Sequence, residues 1–334
     1  MKIDGGIGSD LHKAGRDAKR AEDAGYDGVW SAETAHDPFL PLLLGAQATQ
    51  RLELGTGIAV AFARNPMTLA NTAYDLQAFS KGRFRLGLGS QIKAHIEKRF
   101  SMPWSHPAAR MREMILAMRA IWSSWQDGTK LDFRGDYYSH TLMTPFFNPG
   151  PSEYGVPKVF LAAVGPAMTE VCGEVADGML VHGFTTERYL HEVTIPAIDA
   201  GLAKSGRTRA DFQLSYPAFI ATGTNEEELA AAVTGTKRQI AFYGSTPAYR
   251  GVLELHGWGE LQTELNALSK QGKWAEMGEL IEPDVLEAFA ITGEPSDVAP
   301  RLRERFGTAV DRISFYMPYA GNGEVAQTIL DGLR

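Results

Sequence analysis

The chain has 334 residues, 44% of them hydrophobic and 22% charged, with a formal net charge of −7. That length suits one large α/β barrel or two ordinary domains, and the acidic balance argues against general nucleic-acid or membrane-surface binding. No apolar run approaches the ~20 residues that span a bilayer, the opening MKIDGGIGSD lacks the basic-then-apolar order of a signal peptide, and the single cysteine, Cys172, excludes an internal disulfide, so a cytoplasmic protein is expected.

A first strand is predicted at Lys2 to Gly5. Leu11 to Ala24 follows as an amphipathic helix with Leu11, Ala14, Ala18, Ala21 and Ala24 on one face, stopped by Gly25. Gly28 to Ser31 is the second strand and Pro38 to Thr49 the second helix. Leu52, Leu54, Gly57 and Ile58 begin a third, buried strand. Arg64-Asn65-Pro66 starts a helix carrying Leu69, Ala73, Leu76 and Phe79 on one face; Gly82 ends it, and Phe84, Leu86 and Leu88 form the fourth strand. Strand, helix and strand of these lengths make a right-handed parallel crossover. Pro107 to Trp125 is a long helix whose Met111, Met114, Ile115, Met118 and Trp122 read as core.

Lys130 to Pro157 breaks this rhythm, with FRGDYYSH as a small hairpin and TPFFNPGPSEYG as a Pro/Gly-rich loop. The rhythm then resumes. Strands are predicted at Lys158 to Ala162, Gly178 to Val181, Phe212 to Ala221 and Arg312 to Met317, and helices at Pro166 to Ala176, Glu187 to Lys204, Glu226 to Phe242, Pro295 to Phe306 and Gly323 to Leu333. Arg250 to Ala288 is extra, mostly helical material. Eight strands, each followed by a helix, favour a (β/α)8 TIM barrel over a doubly wound sheet. The whole of 1–334 is then a single domain with insertions after strands four and seven.

On such a barrel the loops after the strands hold the ligand. They carry Gly5, Gly6 and Gly8; Glu33, Thr34, His36 and Asp37; Gly57, Ile58 and Arg64; Ser90, Gln91, Lys93 and His95; Ala163-Val164-Gly165; His182-Gly183; Thr222; and Tyr316 and Tyr319. Val164-Gly165-Pro166 enters a helix directly, which suits either an anion at the free N–H groups or an ordinary loop. Glu33 and Asp37 could pair as acid and base, although Asp37 reads more readily as the cap of the helix opened by Pro38. Gly87-Leu88-Gly89 lacks the third glycine of a dinucleotide fingerprint. No phosphate-binding P-loop, GxSxG elbow or metal-ligand spacing occurs, so no metal is expected.

The segments AEDAGYDGVWSAET, LELGTGIAVAFARNPMTLANTAYDLQAFSKGRFRLGLGS, VFLAAVGPAMTEVCGEVADGMLVHGF and ITGEPSDVAPRLRERFGTAVDRISF together resemble the bacterial luciferase-like family. The resemblance spans nearly the whole chain and is nearest to the branch that uses the deazaflavin coenzyme F420. It implies the (β/α)8 barrel independently of the strand count. It also implies an oxidoreductase that moves a hydride to or from a small organic substrate. An FMN-dependent monooxygenase and a non-catalytic flavin-binding barrel are the alternatives.

Carried over by position, the resemblance places Glu33 at the coenzyme ring. Gly57-Ile58 falls at a bulged strand end behind that ring, joined by a non-proline cis peptide. Gln91 approaches the ring from the fourth loop. Ala163, Val164, Gly165, His182 and Gly183 lie on the side that receives the phosphate tail. Where sugar-phosphate dehydrogenases of this branch have a histidine directly after the acid, this chain has Thr34, and the nearest histidine is His36. His36 is therefore the acid/base candidate, with an exposed loop histidine as the alternative. Lys93, His95, Lys98 and Arg99 are expected to attract an anionic tail or substrate. A homodimer through the helices beginning at Pro38 and Pro66 is expected.

Overall fold

The computed structural model describes residues 1–320 and 323–334. Eight parallel strands form a closed ring: β1 Lys2–Gly6, β2 Gly28–Ser31, β3 Glu53–Thr56, β4 Phe84–Gly89, β5 Lys158–Ala162, β6 Gly178–Leu180, β7 Gln213–Thr222 and β8 Arg312–Tyr316. Each strand pairs with its neighbours in that order, and β8 pairs back onto β1 to close the barrel. Around it run α1 Leu11–Ala24, α2 Phe39–Ala48, α3 Pro66–Phe79, α4 Pro107–Gln126, α5 Pro166–Val175, α6 Ile195–Lys204, α7 Glu226–Gly244, α8 Pro295–Phe306 and α9 Gly323–Gly332. The (β/α)8 barrel expected from the sequence is the observed fold.

Three local features differ from the sequence expectation. The third strand stops at Thr56 and resumes as Ala59–Val60, paired with Leu88 and Gly89 of β4. Ala290–Gly293 is a ninth strand, which extends the ring by pairing with Phe219–Thr222 at the far end of the long β7. The helix expected from Glu187 is interrupted by a π segment, Leu190–Thr194. Pro196 follows it, with no N–H to continue a regular ladder. The hairpin in the first insertion is present, pairing Phe133–Arg134 with Ser139–His140.

The barrel interior is built on one bulky ring. Trp30 occupies the space that side chains on β3 would need: a Cβ on Gly55 would lie 2.3 Å from its indole. Phe160 packs edge-on to it at 5.5 Å and similarly excludes a side chain at Gly178. Beneath lies a charged layer. Arg312 donates to both oxygens of Asp4, at 2.6 and 2.8 Å, and to Glu53 at 2.5 Å, while Arg85 also reaches Glu53 at 2.9 Å. Trp30 Nε1–H donates to Asp4 at 2.9 Å.

A repeated device closes the same end. Asp27, Asp177 and Asp311 each precede a strand, and their Oδ2 atoms accept the backbone N–H of Ile3, Val159 and Leu214 at 2.7, 2.8 and 2.7 Å. Each is also paired with an arginine: Arg334, Arg119 and Arg209 respectively.

Outside the ring, Met111, Met114, Ile115, Met118 and Trp122 of α4 are buried, as their spacing predicts. Cys172 is buried on the inner face of α5, and desolvation pushes its thiol far above the usual range, consistent with a packing role. The insertion after β7 builds a second apolar cluster in which Leu253, Leu265, Met277, Ile281 and Phe289 pack with Phe184 and Phe219.

Candidate active site

At the C-terminal mouth, the break in the third strand forms a bulge. The Gly57–Ile58 peptide is cis. Glu33 braces the bulge from the second loop. Its N–H donates to Ile58 O at 3.2 Å, and its Oε2 accepts from Val60 N–H at 2.7 Å and Arg64 Nη1 at 2.6 Å. Gly89 of β4 makes room for the bulge, since a Cβ there would lie 2.8 Å from the Ile58 side chain. Ile58 is left half-buried.

Arg64 completes the brace. It donates to Val60 O at 3.1 Å and to Asp37 Oδ2 at 3.2 Å. Asp37 Oδ1 accepts from Phe39 N–H at 2.8 Å, at the start of α2. Glu33 and Asp37 thus converge on one guanidinium. The capping role of Asp37 is present.

His36 stands on the exposed part of this loop and forms no hydrogen bond or ring contact among the described residues. The loop is tied to the fourth by Arg99, whose Nη2 donates to Thr34 O. Gln91 has φ 59°, and Ser101 and His106 in the same loop have φ 55° and 39°. Three left-handed non-glycine residues in one loop are uncommon and recur where loops hold ligands. Lys93, His95 and Lys98 are exposed, Lys93 facing Glu97 at 3.8 Å.

A second part of the mouth is a narrow cleft after β5 and β6, lined by Ala163, Val164, Gly165, His182, Tyr189 and Tyr249 among others. Among the described residues no Asp, Glu, Lys or Arg lines it. Gly165 has φ 78° and opens onto free space, with nothing within 4 Å of a Cβ built there. Its carbonyl accepts from Thr169 Oγ1 at 2.9 Å, and Pro166 begins α5. Val193 and Thr194 of the π segment reach the same cleft.

His182 is held on both ring nitrogens. Nδ1 accepts from Phe184 N–H at 3.0 Å, and Nε2 lies 3.1 Å from Tyr249 Oη. Tyr249 stacks on the imidazole at 4.4 Å, and Tyr243 meets it edge-on at 4.7 Å. Burial holds the imidazole down to about 4, so it is neutral at pH 7. Burial, with Tyr243 nearby, pushes Tyr249 up to about 12. Tyr243 Oη and Tyr316 Oη share a hydrogen bond of 2.7 Å, and Tyr316 stacks on Phe219 at 4.6 Å. Gly183 runs close behind, where a Cβ would lie 3.1 Å from the Tyr316 ring.

Contacts therefore group the residues singled out from sequence in two sets. Glu33, Gly57 and Ile58 form the bulge, while Ala163, Val164, Gly165 and His182 line the cleft. His36 and Gln91 belong to neither by direct contact. Tyr243 and Tyr249 were not singled out. Their only signal was an aromatic cluster, FYGSTPAY, straddling the end of α7.

The luciferase-like monooxygenase family matches residues 3–312 of this chain. The chain belongs to that family. A Mycobacterium tuberculosis protein, itself uncharacterized, is 59% identical over 94% of this chain and 92% of its own length. The 5,10-methylenetetrahydromethanopterin reductase of Archaeoglobus fulgidus is 27% identical over 88% of this chain and 86% of its own length. Among solved luciferase-like structures, the coenzyme F420 dependent tetrahydromethanopterin reductase from Methanopyrus kandleri superposes with a TM-score of 0.79 at 22% identity. That match covers 99% of this chain and 97% of the other, a likeness of fold.

Proposed function

We propose that this luciferase-like barrel is a coenzyme F420-dependent oxidoreductase that transfers a hydride to or from a small organic substrate. The observation that carries this reading is the match along 88% of the chain to a reductase relative. The activity of that kind in the superposed structure is named as coenzyme F420 dependent. The mouth supports it. A half-buried Ile58 on a braced bulge gives a flat ring something to rest against, and the open space at Gly165 leaves room for a tail.

In this reading Gly57 and Ile58 back the ring, with Glu33 holding them in place through Oε2. Gln91 closes over from the fourth loop, and Ala163, Val164, Gly165, His182 and Gly183 receive the tail side. The bound deazaflavin supplies the hydride chemistry. The chain's own contribution is placement and one proton donor or acceptor, assigned to His36. A cytoplasmic homodimer belongs to the same reading. Leu40 and Leu43 on α2 are 50% and 40% exposed, an apolar stripe suited to a second copy.

The family's description as monooxygenase favours a second reading, FMN with oxygen activation. Titration with F420 and with FMN, followed by substrate-dependent absorbance change and oxygen consumption, separates the two. F420 binding and reduction without oxygen uptake is expected; FMN binding with oxygen uptake would replace the proposal.

A further inference from the structure

Outside the barrel, between α3 and α4, the turn Pro145–Phe147 of the first insertion borders a groove of about 200 Å³. Tyr74 of α3 and Trp125 of α4, 4% and 2% exposed, form its floor; Phe146 and Phe147, 89% and 70% exposed, form its wall. The floor rings lie 5.3 Å apart, and the wall rings meet at 90° and 5.1 Å. The polar ends of the floor are engaged elsewhere. Tyr74 Oη–H donates to Gln126 Oε1 at 2.8 Å and Oη accepts from Ser152 N–H at 2.8 Å, while Trp125 Nε1–H donates to Met143 S at 3.4 Å. Asn148 on the rim accepts from Gly150 N–H at 2.9 Å and donates to Ser124 O at 3.5 Å. These bonds hold the loop and leave ring carbon facing the groove. No residue of α2 lines it among the described residues, so it is separate from the Leu40 and Leu43 stripe.

One charge stands at this groove. Asp75 lines it, makes no hydrogen bond or ion pair among the described residues, and meets no Lys or Arg in the lining. Aromatic rings carry negative faces, which attract a cation within about 6 Å. Rings and carboxylate therefore favour the same occupant. An apolar group, such as Phe146 of a second copy, would cover the Asp75 carboxylate without compensating its charge, which is costly. An alkylated ammonium supplies both the positive charge and the apolar surface that four rings require. The volume somewhat exceeds the ~150 Å³ cavity that takes a benzene, which suits one such headgroup.

We propose that this groove is a binding site for a small alkylated ammonium ion, held by cation–π contact with Tyr74, Trp125, Phe146 and Phe147 and by charge pairing with Asp75. The site is separate from the mouth of the barrel, and the inference does not depend on which coenzyme binds there.

The test uses the full-length protein and two probes of matched shape, choline and its uncharged isostere 3,3-dimethylbutan-1-ol. Binding is read by ligand-observed NMR, and mass is followed by light scattering. Choline is expected to bind about tenfold more tightly than the alcohol, the size of one or two cation–π contacts. Asp75→Asn is expected to weaken choline binding roughly threefold, as for an exposed charge pair, and to leave the alcohol unchanged. Phe146→Ala combined with Phe147→Ala, both at exposed positions where the fold does not depend on them, is expected to weaken choline binding about tenfold. An alcohol that binds as tightly as choline, or choline affinity unchanged in either variant, overturns the proposal. So does a wild-type dimer that the two alanine substitutions dissociate, which would give the groove to a second copy. Choline selectivity in a protein that fails to bind F420 would instead overturn the coenzyme assignment and leave this one standing.

Discussion

Arg64 Nη1 lies 2.6 Å from Glu33 Oε2, and through that pair the second loop holds the bulge of the third strand. Both side chains are largely buried, at 18% and 7% exposure. Removing one partner leaves the other charge poorly compensated, at a cost of about 3 kcal/mol. Arg64→Met should therefore lower the unfolding free energy by about that amount and weaken coenzyme binding. Calorimetry and coenzyme titration check this. A variant with wild-type coenzyme affinity would show that the brace does not shape the binding surface.

The histidine in the cleft makes stability depend on pH. His182 is held at about 4, against an ordinary 6.5, so the unfolded chain binds the proton first. Its neutral form stabilises the fold fully above about 6.5, and that contribution declines as pH falls towards about 4. The shift corresponds to at most about 3 kcal/mol. Melting temperatures of wild type and His182→Phe should converge on acidification across this window. Parallel curves would refute the coupling.

Glu53 acts in a lower window. Desolvation raises its carboxyl, but Arg312, Arg85 and Lys2 outweigh it and hold the group at about 2 rather than 4.5. Its contribution is complete above about 4.5 and is lost as pH falls through about 2. Glu53→Gln should thus be less stable than wild type at pH 7, by about 3 kcal/mol, with the difference narrowing below pH 4. Denaturant melts at a series of pH values would reveal a constant difference if this account were wrong.

Glycines of the barrel wall should differ sharply in tolerance. A Cβ on Gly87 would lie 1.8 Å from the carbonyl oxygen of Thr56, whereas one on Gly6 meets nothing nearer than 4.0 Å. Gly87→Ala is expected to cost about 3 kcal/mol, the upper end for overpacking, and Gly6→Ala about 0.5 kcal/mol. Equal melting temperatures for the two variants would contradict the packing described.

The proposed dimer has a direct check. Light scattering should give twice the 36.5 kDa chain mass at micromolar concentration, and Leu40→Asp with Leu43→Asp should restore the single-chain mass with little change in helix content. A wild-type chain that is already monomeric removes the assignment.

Much of this architecture is local and was legible in order along the chain. Alternation of short apolar runs with amphipathic helices determined eight strand–helix units, because side-chain periodicity reports which face of each element is buried. The Met-rich stripe of α4 and the stop at Gly25 follow from the same local rules, as does the Asp37 cap. The ninth strand was not legible, since Ala290–Gly293 is paired only by the overhanging end of β7. Neither was the shared role of Asp27, Asp177 and Asp311, whose partners are brought to them only when the ring closes. The site divides in the same way. The loops that hold it could be located from strand ends alone. Only the tertiary structure decided that Glu33 and Asp37 meet on Arg64 instead of each other, that His182 is buried and neutral, and that Tyr249 reaches it from the turn after α7, 67 residues away in sequence. Charge and hydrogen-bond direction depend on desolvation and on what lies across space, and neither is encoded in the spacing of residues along one strand or helix.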